Sequence, residues 1–325
     1  MPRVEAEQLS LFDLGPDMAK IRRAAASLKR QTRAAATLVS YDCDWRSFEC
    51  WCVSVGRRAM PADGETVTLY VASRLEEGLR ASTVQRAVAA VAYRHKVAGE
   101  AVPDRMEARA VLNGARRQRL EQPVQRAALA VEDLRKICRR LMRHRTAAAA
   151  RDRALLVLGF ATGLRRSNLV ALDLADLRFV PRRGVAVMVR RSKTDQEGRG
   201  QVIGVFRGKR EETCPVRALR SWLAFRGEAD GPLFTRVRVG GPTLSRLNPD
   251  TVNQLVKASV ASVGLDPVAY GAHSLRAGFV TEAHNEGSGT LAIMERTGHR
   301  SVEMVRRYLR NSDPFACSNP LARAL

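Results

Sequence analysis

Apolar residues recur at helical spacing along the first third of the chain. One set is Tyr41, Trp45, Phe48 and Cys52, and the next is Val67, Tyr70, Val71 and Leu75. Intervals of three and four residues place each set on one face of a helix, which would bury that face against its neighbours. The pattern predicts an all-helical domain over residues 20–116, preceded by a flexible tail over residues 1–19.

The last strongly patterned helix of this domain combines an apolar face with a basic one. It is predicted to begin with Ser82 as N-cap and to end at Gly99. The predicted inner stripe is Val84, Val88, Val91 and His95, and the opposite side carries Gln85, Arg86, Arg94 and Lys96. A basic helix face of this kind is suited to a DNA groove, although a solvated face has the same composition.

A second domain follows a polar stretch broken by Pro123, which we interpret as a linker over residues 117–127. Helical spacing returns at Leu134, Ile137, Cys138 and Leu141 and ends at Thr162 and Gly163. Two strand-like runs, 185–190 and 202–206, flank a polar loop and predict a β-hairpin. Helices are expected from Pro215 to the C-terminus. The predicted fold is therefore mainly α with a small β-sheet: an all-helical first domain and an α+β second domain.

The charge balance narrows the choice of partners. The chain of 325 residues has 55 basic and 33 acidic residues, a net charge of +22, which favours a polyanion such as nucleic acid over a membrane surface. Its longest apolar run, 154–164, contains glycines and is too short to span a bilayer, and the N-terminus lacks a signal-peptide pattern. We therefore expect a cytoplasmic protein, associated with the nucleoid when bound to DNA.

Cysteine usage and motif content exclude several other function classes. The six cysteines are scattered, and the pair Cys50 and Cys52 lacks the two-residue spacer of common zinc and redox motifs. No Walker-type glycine-rich loop and no metal-spaced cluster of histidines and carboxylates is found in the sequence. Reduced thiols, no cofactor, no metal and no ATP are therefore expected.

Four short motifs in the second domain carry candidate chemistry. They are Thr162-Gly163-Leu164-Arg165, Lys193 in the hairpin loop, His273-Ser274-Leu275-Arg276, and Gly298-His299 followed nine residues later by Tyr308. Each is common alone, but their conjunction in this order is improbable by chance. Arginines bind two phosphate oxygens at once and stay charged, so two of them can clamp a phosphodiester. A tyrosine beside such a clamp is a candidate nucleophile.

Together these motifs resemble the boxes of the tyrosine site-specific recombinases, the phage integrase family of Cre/Xer type. The resemblance covers nearly the whole chain and is most specific in the second domain. It implies a catalytic domain over residues 128–308 and a core-binding domain over residues 20–116, which together form a C-shaped clamp around DNA. The segment from Ser82 to Arg86 resembles the groove-facing helix of the core-binding domain.

The resemblance also implies a role for each motif. Tyr308 would form a 3′-phosphotyrosine bond, with Arg165 and Arg276 as the phosphate clamp, His273 handling the tyrosine proton, Lys193 as general acid and His299 as a phosphate hydrogen-bond donor. Strands would be cleaved and rejoined without metal or ATP, by a homotetramer on double-stranded DNA with inverted-repeat sites. The C-terminal tail, 309–325, is a possible contact between protomers, and a frayed end is the alternative.

Two positions depart from the family pattern. Asn168 stands where the family commonly has an acidic residue, so a charge is replaced by a neutral amide. Arg300 separates His299 from Ser301, whereas a serine more often follows the histidine directly.

Two alternative functions fit the same motifs. One alternative is a type IB topoisomerase that relaxes DNA, and the other is a catalytically weakened DNA-binding regulator.

Overall fold

The computed structural model describes residues 35–120, 125–190 and 200–309, together with Met18, Lys20, Ile21 and Arg23. The chain divides into two compact units, Met1–Pro123 and Val124–Leu325. Helices dominate both units, and the strands are confined to the second. The predicted fold class, mainly α with a small β-sheet, is confirmed.

Within the described residues the first unit consists of helices around one apolar core. They are α1 (Ala35–Ser54), α2 (Gly64–Glu76), α3 (Ala81–Ala98) and α4 (Met106–Arg119). The two sets of apolar residues predicted to face inward are buried, as expected. Phe48 on α1 meets Tyr70 on α2 edge to face, with ring centroids 5.0 Å apart. Aromatic pairing of this geometry adds to the stabilisation that burial provides.

Helix α3 confirms its predicted inner stripe but begins earlier than predicted. The predicted Ser82 cap is wrong: Arg80 is the N-cap, in an extended conformation and with no side-chain cap bond. The helix starts at Ala81 because this small side chain is fully buried in the core, so packing sets the helix end. His95 is also fully buried, and its Nε2 accepts a hydrogen bond of 2.8 Å from the backbone N–H of Ala62.

The second unit combines helices with two small antiparallel sheets. Its helices are α5 (Val131–Arg143), α6 (Ala147–Thr162), α7 (Arg166–Ala171), α8 (Pro215–Arg226), α9 (Pro249–Ala261), α10 (His273–Asn285), α11 (Thr290–Thr297) and α12 (Val302–Leu309). Its strands are β1 (Leu177–Val180), β2 (Gly184–Val189), β3 (Gln201–Phe206), β4 (Thr235–Arg238) and β5 (Gly241–Arg246). Strands β1, β2 and β3 form one sheet in that order, and β4 pairs with β5 in the other. The short 3₁₀ helix Leu174–Asp176 leads into β1.

The predicted hairpin is confirmed, but the expectation of helices alone after Pro215 is wrong. Strands β2 and β3 pair from Gly184 opposite Phe206 to Val189 opposite Gln201. Strands β4 and β5 also form a hairpin, with Val239 and Gly240 at its turn and Gly241 as the first residue of β5. The two short strands contain few apolar residues, so the Gly240-Gly241 pair was the stronger signal.

Helix α6 forms the centre of the second unit. Most of its side chains are buried, including Leu155, Leu156 and Leu158, and it ends where predicted, with Gly163 as C-cap. Helix α10 lies close to the chain before α5: a Cβ on Gly278 would stand 2.3 Å from the carbonyl oxygen of Leu129. These contacts fix the end of α6 and the first turns of α10 within the same core.

No helix among the described residues is long and apolar enough to cross a membrane.

Candidate active site

The first predicted arginine lies directly after the central helix. Arg165 is the N-cap of α7 and is half-buried. Burial lowers the pKa of its guanidinium, and the Tyr308 oxygen has the opposite effect. Among the described residues Arg165 has no hydrogen-bond or ion-pair partner, so its donors are available to a ligand.

The second predicted arginine lies in the first turns of α10, three residues after His273, which begins the helix. Arg276 is 2% exposed, and its Nη1 donates to the carbonyl oxygen of Gly163 at 2.7 Å. Its Nε donates to Nε2 of His299 at 3.3 Å, while Nη2 has no hydrogen-bond partner among the described residues. Burial and the charge of Arg165 lower the pKa of Arg276 to about 10.

His299 follows the turn that ends α11 and is 6% exposed. Its Nδ1 lies 2.7 Å from Oγ1 of Thr297, and its Nε2 accepts from Arg276. Burial lowers the pKa of His299 to about 3, with Arg276, Arg165 and His273 acting in the same direction. Both ring nitrogens are therefore engaged inside the protein, and the imidazole is neutral.

Tyr308 lies on α12, near its C-terminal end. Ser301 precedes this helix, and its Oγ accepts a hydrogen bond of 3.4 Å from the backbone N–H of Met304. Val305 is fully buried, whereas Val302, the first residue of the helix, is 41% exposed. The Tyr308 hydroxyl lies 2.6 Å from Nε2 of His273.

These side chains form one cationic cluster around the tyrosine. The Tyr308 ring centroid is 5.4 Å from that of His273 and also 5.4 Å from that of His299. Partial desolvation and the charges of Arg276 and Arg165 lower the pKa of His273, which favours the neutral, proton-accepting form. Within the described chain neither arginine pairs with a carboxylate, so the cluster presents uncompensated positive charge. A cleft of about 330 Å³ opens beside Arg165, His273 and Arg276.

The structure describes the base of the β2–β3 hairpin but not the loop that carries the predicted lysine. Lys193 lies outside the described residues. The base of the hairpin is bound to α11, since Gln201 Nε2 donates to the carbonyl of Glu295 at 2.9 Å. Arg296 Nη2 donates to the carbonyls of Gly204, at 3.0 Å, and Ala161, at 2.9 Å. The strand after the lysine loop is thus fixed to the helix that precedes His299.

The sequence did not single out Arg296 or Thr297, although both touch this framework. Thr297 is buried, and its hydroxyl donates to the carbonyl of Ile293 at 2.5 Å. The sequence signal that could have identified Thr297 is the run Thr297-Gly298-His299, because a glycine between the two polar residues can turn the chain sharply and bring their side chains together. Asn168, the departure from the acidic pattern, is buried and accepts a hydrogen bond of 3.4 Å from Ser167 Oγ.

The residues predicted to contact DNA in the first unit have mixed surroundings. Arg86 donates to both carboxylate oxygens of Asp44, at 2.7 and 3.0 Å, and Arg94 donates to Asp42 at 2.6 Å. These ion pairs join α3 to α1. The other two side chains, Gln85 and Lys96, are exposed. DNA contact by the four residues stays a prediction.

Comparison with known proteins places these features in a family. The model of the phage integrase family matches residues 128–314. An integrase/recombinase XerD homologue of Selenomonas ruminantium is 35% identical over 88% of this chain and 84% of its own length. The recombinase Cre of Escherichia phage P1 is 25% identical, with 82% of each protein covered.

Solved structures share the fold at lower sequence identity. The Tn1549 transposon integrase, in complex with transposon right-end DNA, has a TM-score of 0.61 and 17% identity over 93% of this chain and 97% of its own. A λ integrase dimer bound to a core site has a TM-score of 0.59 and 16% identity over 91% of this chain and 96% of its own. The family match and the relative of 35% identity agree with the order of the motifs along the chain. The chain therefore belongs to the phage integrase family, the tyrosine site-specific recombinases.

Proposed function

We propose that this DNA recombinase cleaves a strand by direct attack of the Tyr308 oxygen on the scissile phosphorus. The new bond joins the tyrosine to the 3′ phosphate, and the bond from phosphorus to the 5′ oxygen breaks. His273 accepts the tyrosine proton, and Lys193 gives a proton to the departing 5′ oxygen. A 5′ hydroxyl from the same or another strand can reverse the reaction, because the phosphotyrosine retains the energy of the original bond.

One observation carries this proposal: the Tyr308 hydroxyl is hydrogen-bonded to His273 at 2.6 Å, beside two arginines that have no acidic partner among the described residues. The distance is within reach for proton transfer from the phenol. Negative charge that develops on the phosphate oxygens in the transition state would be met by Arg165 and by Nη2 of Arg276, which has no hydrogen-bond partner in the described part of the chain. Fixed cations of this kind stabilise the transition state without reorganisation of solvent.

We further propose that four protomers act on two duplexes with inverted-repeat sites. A λ integrase structure with a TM-score of 0.57 is a tetramer on a Holliday junction, and an XerH complex with a TM-score of 0.54 holds a palindromic substrate. These neighbours support tetrameric strand exchange here, and the family assignment favours recombination over topoisomerase-type relaxation. Complete candidate clamp and nucleophile residues weigh against a regulator without catalysis.

The direct test is to trap the covalent intermediate. Purified protein is incubated with nicked duplexes tiled across the DNA that flanks its gene, and adducts that resist denaturant are counted. We expect an adduct with wild type and Tyr270→Phe, and none with Tyr308→Phe, which should still shift the same duplex in a gel. An adduct that persists in Tyr308→Phe would contradict the assignment of the nucleophile.

A further inference from the structure

We infer that the second unit carries a further DNA-binding surface, at the end of α6 opposite the candidate active site, which holds duplex that flanks the cleaved site. We call this surface the distal patch, and it consists of six arginines: Arg145, Arg182, Arg183, Arg207, Arg217 and Arg220. None of them belongs to the proposed catalytic machinery. The inference therefore goes beyond the proposed function and does not depend on how the strand is cleaved.

Three arginines of the distal patch meet at one end of the sheet formed by β1, β2 and β3. Arg182 and Arg183 lie in the turn between β1 and β2, where Val180 pairs with Gly184. Arg207 follows β3, and its backbone N–H donates to the carbonyl oxygen of Arg183 at 2.9 Å. All three arginines are exposed. The turn and the end of β3 therefore present three cations from adjacent backbone positions.

The other three arginines border a cavity at the N-terminal end of α6. This cavity of about 460 Å³ is lined by Arg145, which precedes α6, and by Arg217 and Arg220 on α8. The guanidinium carbon of Arg220 lies 5.7 Å from the ring centroid of Phe179 on β1, so this group adjoins the sheet. One carboxylate, that of Glu211, lines the same cavity, and three positive charges face it.

The charge of the distal patch is not balanced within the described parts of the chain. None of its six guanidinium groups forms an ion pair with a described carboxylate. Glu212, which follows Glu211, pairs instead with Arg139 at 3.0 Å. An exposed guanidinium can donate two hydrogen bonds to one phosphate, and a group of such cations attracts a polyanion more strongly than a single anion.

Two arginines of the distal patch occupy backbone positions that favour glycine. The non-glycine residues with positive φ among the described ones are Leu120, Arg145 and Arg182, and φ is 41° and 60° for the two arginines. A residue with a Cβ is strained in this left-handed region. Arg182 also lies in a short hairpin loop, where glycine or asparagine usually takes the left-handed position. Cations at two strained positions of one surface point to a function of these side chains.

The distal patch is too far from the active site to contact the cleaved phosphate. Helix α6 has 16 residues and is about 24 Å long, with the cavity at its first turn and Arg165 beyond its other end. Along the sheet, Gly184 and Val189 are the two ends of β2, about 17 Å apart, and the lysine loop follows the latter end. Flanking duplex is tethered to the bound site, so its effective concentration is high. This favours flanking DNA over a separate acidic protein as the partner.

Binding to duplexes of two lengths tests the inference. The full chain carries Tyr308→Phe throughout, so that binding is measured without strand cleavage. The core duplex is the shortest one that this protein shifts in a gel, and the extended duplex adds about 30 base pairs, roughly 100 Å, on each side. The patch variant combines Arg182→Gly, Arg183→Gln and Arg207→Gln. The matched control combines Arg183→Lys and Arg207→Lys, which keep the charge.

With the native patch, we expect the extended duplex to bind about tenfold more tightly than the core duplex at about 0.1 M salt. The patch variant should lose this gain and bind the core duplex unchanged, which also shows that it is folded. Each phosphate contact contributes about 0.9 to the slope of log affinity against log salt, so the slope on the extended duplex should fall by up to about 2.7. The lysine control should keep the gain.

Three results would overturn the inference. Equal weakening of both duplexes in the patch variant would mean that these arginines contact the core site or support the fold. An unchanged gain in the patch variant would mean that they do not bind the flanks. No gain from the flanks with the native patch would exclude flanking DNA as the partner and favour an acidic protein.

Discussion

Replacement of His273 by glutamine should remove the base that receives the Tyr308 proton and leave the fold intact. Glutamine can keep a hydrogen bond to the tyrosine hydroxyl, but it cannot accept a proton. His273 is exposed on one side of the cleft, so the free energy of unfolding should change by less than about 0.5 kcal/mol. Because the hydroxyl lies 2.6 Å from Nε2, the full contribution of a general base, about 10²- to 10⁴-fold, should be lost.

The pH dependence of cleavage should distinguish this role from simple positioning. Only neutral His273 can accept the proton, so the rate should rise with pH through the pKa of His273 and then reach a plateau. Partial desolvation and the charges of Arg276 and Arg165 lower that pKa from 6.5, so the midpoint of the rise should lie below pH 6.5. Below the pKa the rate should fall about tenfold per pH unit. In His273→Gln the rate should keep rising to pH 9, because hydroxide has to replace the missing base.

The assay is single-turnover formation of the covalent adduct from pH 4.5 to 9, with DNA binding saturated at each pH. His284→Gln is the matched control, because His284 is exposed near the other end of the same helix. The control should follow the wild-type profile throughout. A wild-type midpoint above pH 6.5, or a plateau retained in His273→Gln, would refute the assignment of His273 as the base.

Three further predictions concern stability and the hairpin. The pKa of His299 is about 3 in the folded protein and near 6.5 when unfolded, so the unfolded chain binds a proton first and stability falls as pH drops from 6.5 toward 3. His299→Gln should reduce this slope by up to about 1.4 kcal/mol per pH unit, and His284→Gln should not, as measured by urea unfolding. Gly278→Ala should destabilise the protein by at least about 2 kcal/mol, because the new Cβ would clash with the backbone of Leu129. Gly114→Ala is the control: its Cβ would enter open space on another helix, and it should stabilise the protein by roughly 0.5–1 kcal/mol. Equal shifts of the thermal midpoint in the two variants would disprove this prediction. Arg296→Met should slow adduct formation about tenfold without weakening DNA binding, because β3, the strand after Lys193, loses one of its two hydrogen bonds to α11; an unchanged rate would show that this bond is dispensable.

Much of the fold was predictable because burial and periodicity carry the same information. The apolar faces of α1, α2 and α3 are buried where the spacing placed them, and the mainly apolar strands β2 and β3 form the expected hairpin. The errors fall where packing or turn chemistry overrides the pattern. Helix α3 begins at Ala81, before the predicted cap Ser82, because Ala81 is buried in the core. Strands β4 and β5 have few apolar residues, and their pairing depends on a turn that contains glycine.

The sequence identified which residues belong to the candidate active site, but it did not identify the hydrogen bonds between them. The motif His273-Ser274-Leu275-Arg276 was visible in the sequence. The structure brings His273 to Tyr308 and Arg276 to His299. The partners of Arg276 were not predictable, because a backbone carbonyl and a neutral imidazole leave no mark in composition. Likewise, the sequence could not show that Arg86 and Arg94 of α3 pair with aspartates of α1.

The candidate active site combines burial with positive charge that no described carboxylate balances. A surplus of basic residues is spread along the whole chain, and many of its arginines are neutralised locally, as Arg190 is by Asp176 and Arg246 by Asp173. Arg165 and Arg276 lack such partners among the described residues, although burial makes their charge more costly. A buried arginine next to a half-buried one opposes folding, and an anion bound to both would offset that cost. If the proposed function holds, the same charges that make the free cluster unfavourable would favour a phosphate, and most of all the extra charge of the transition state.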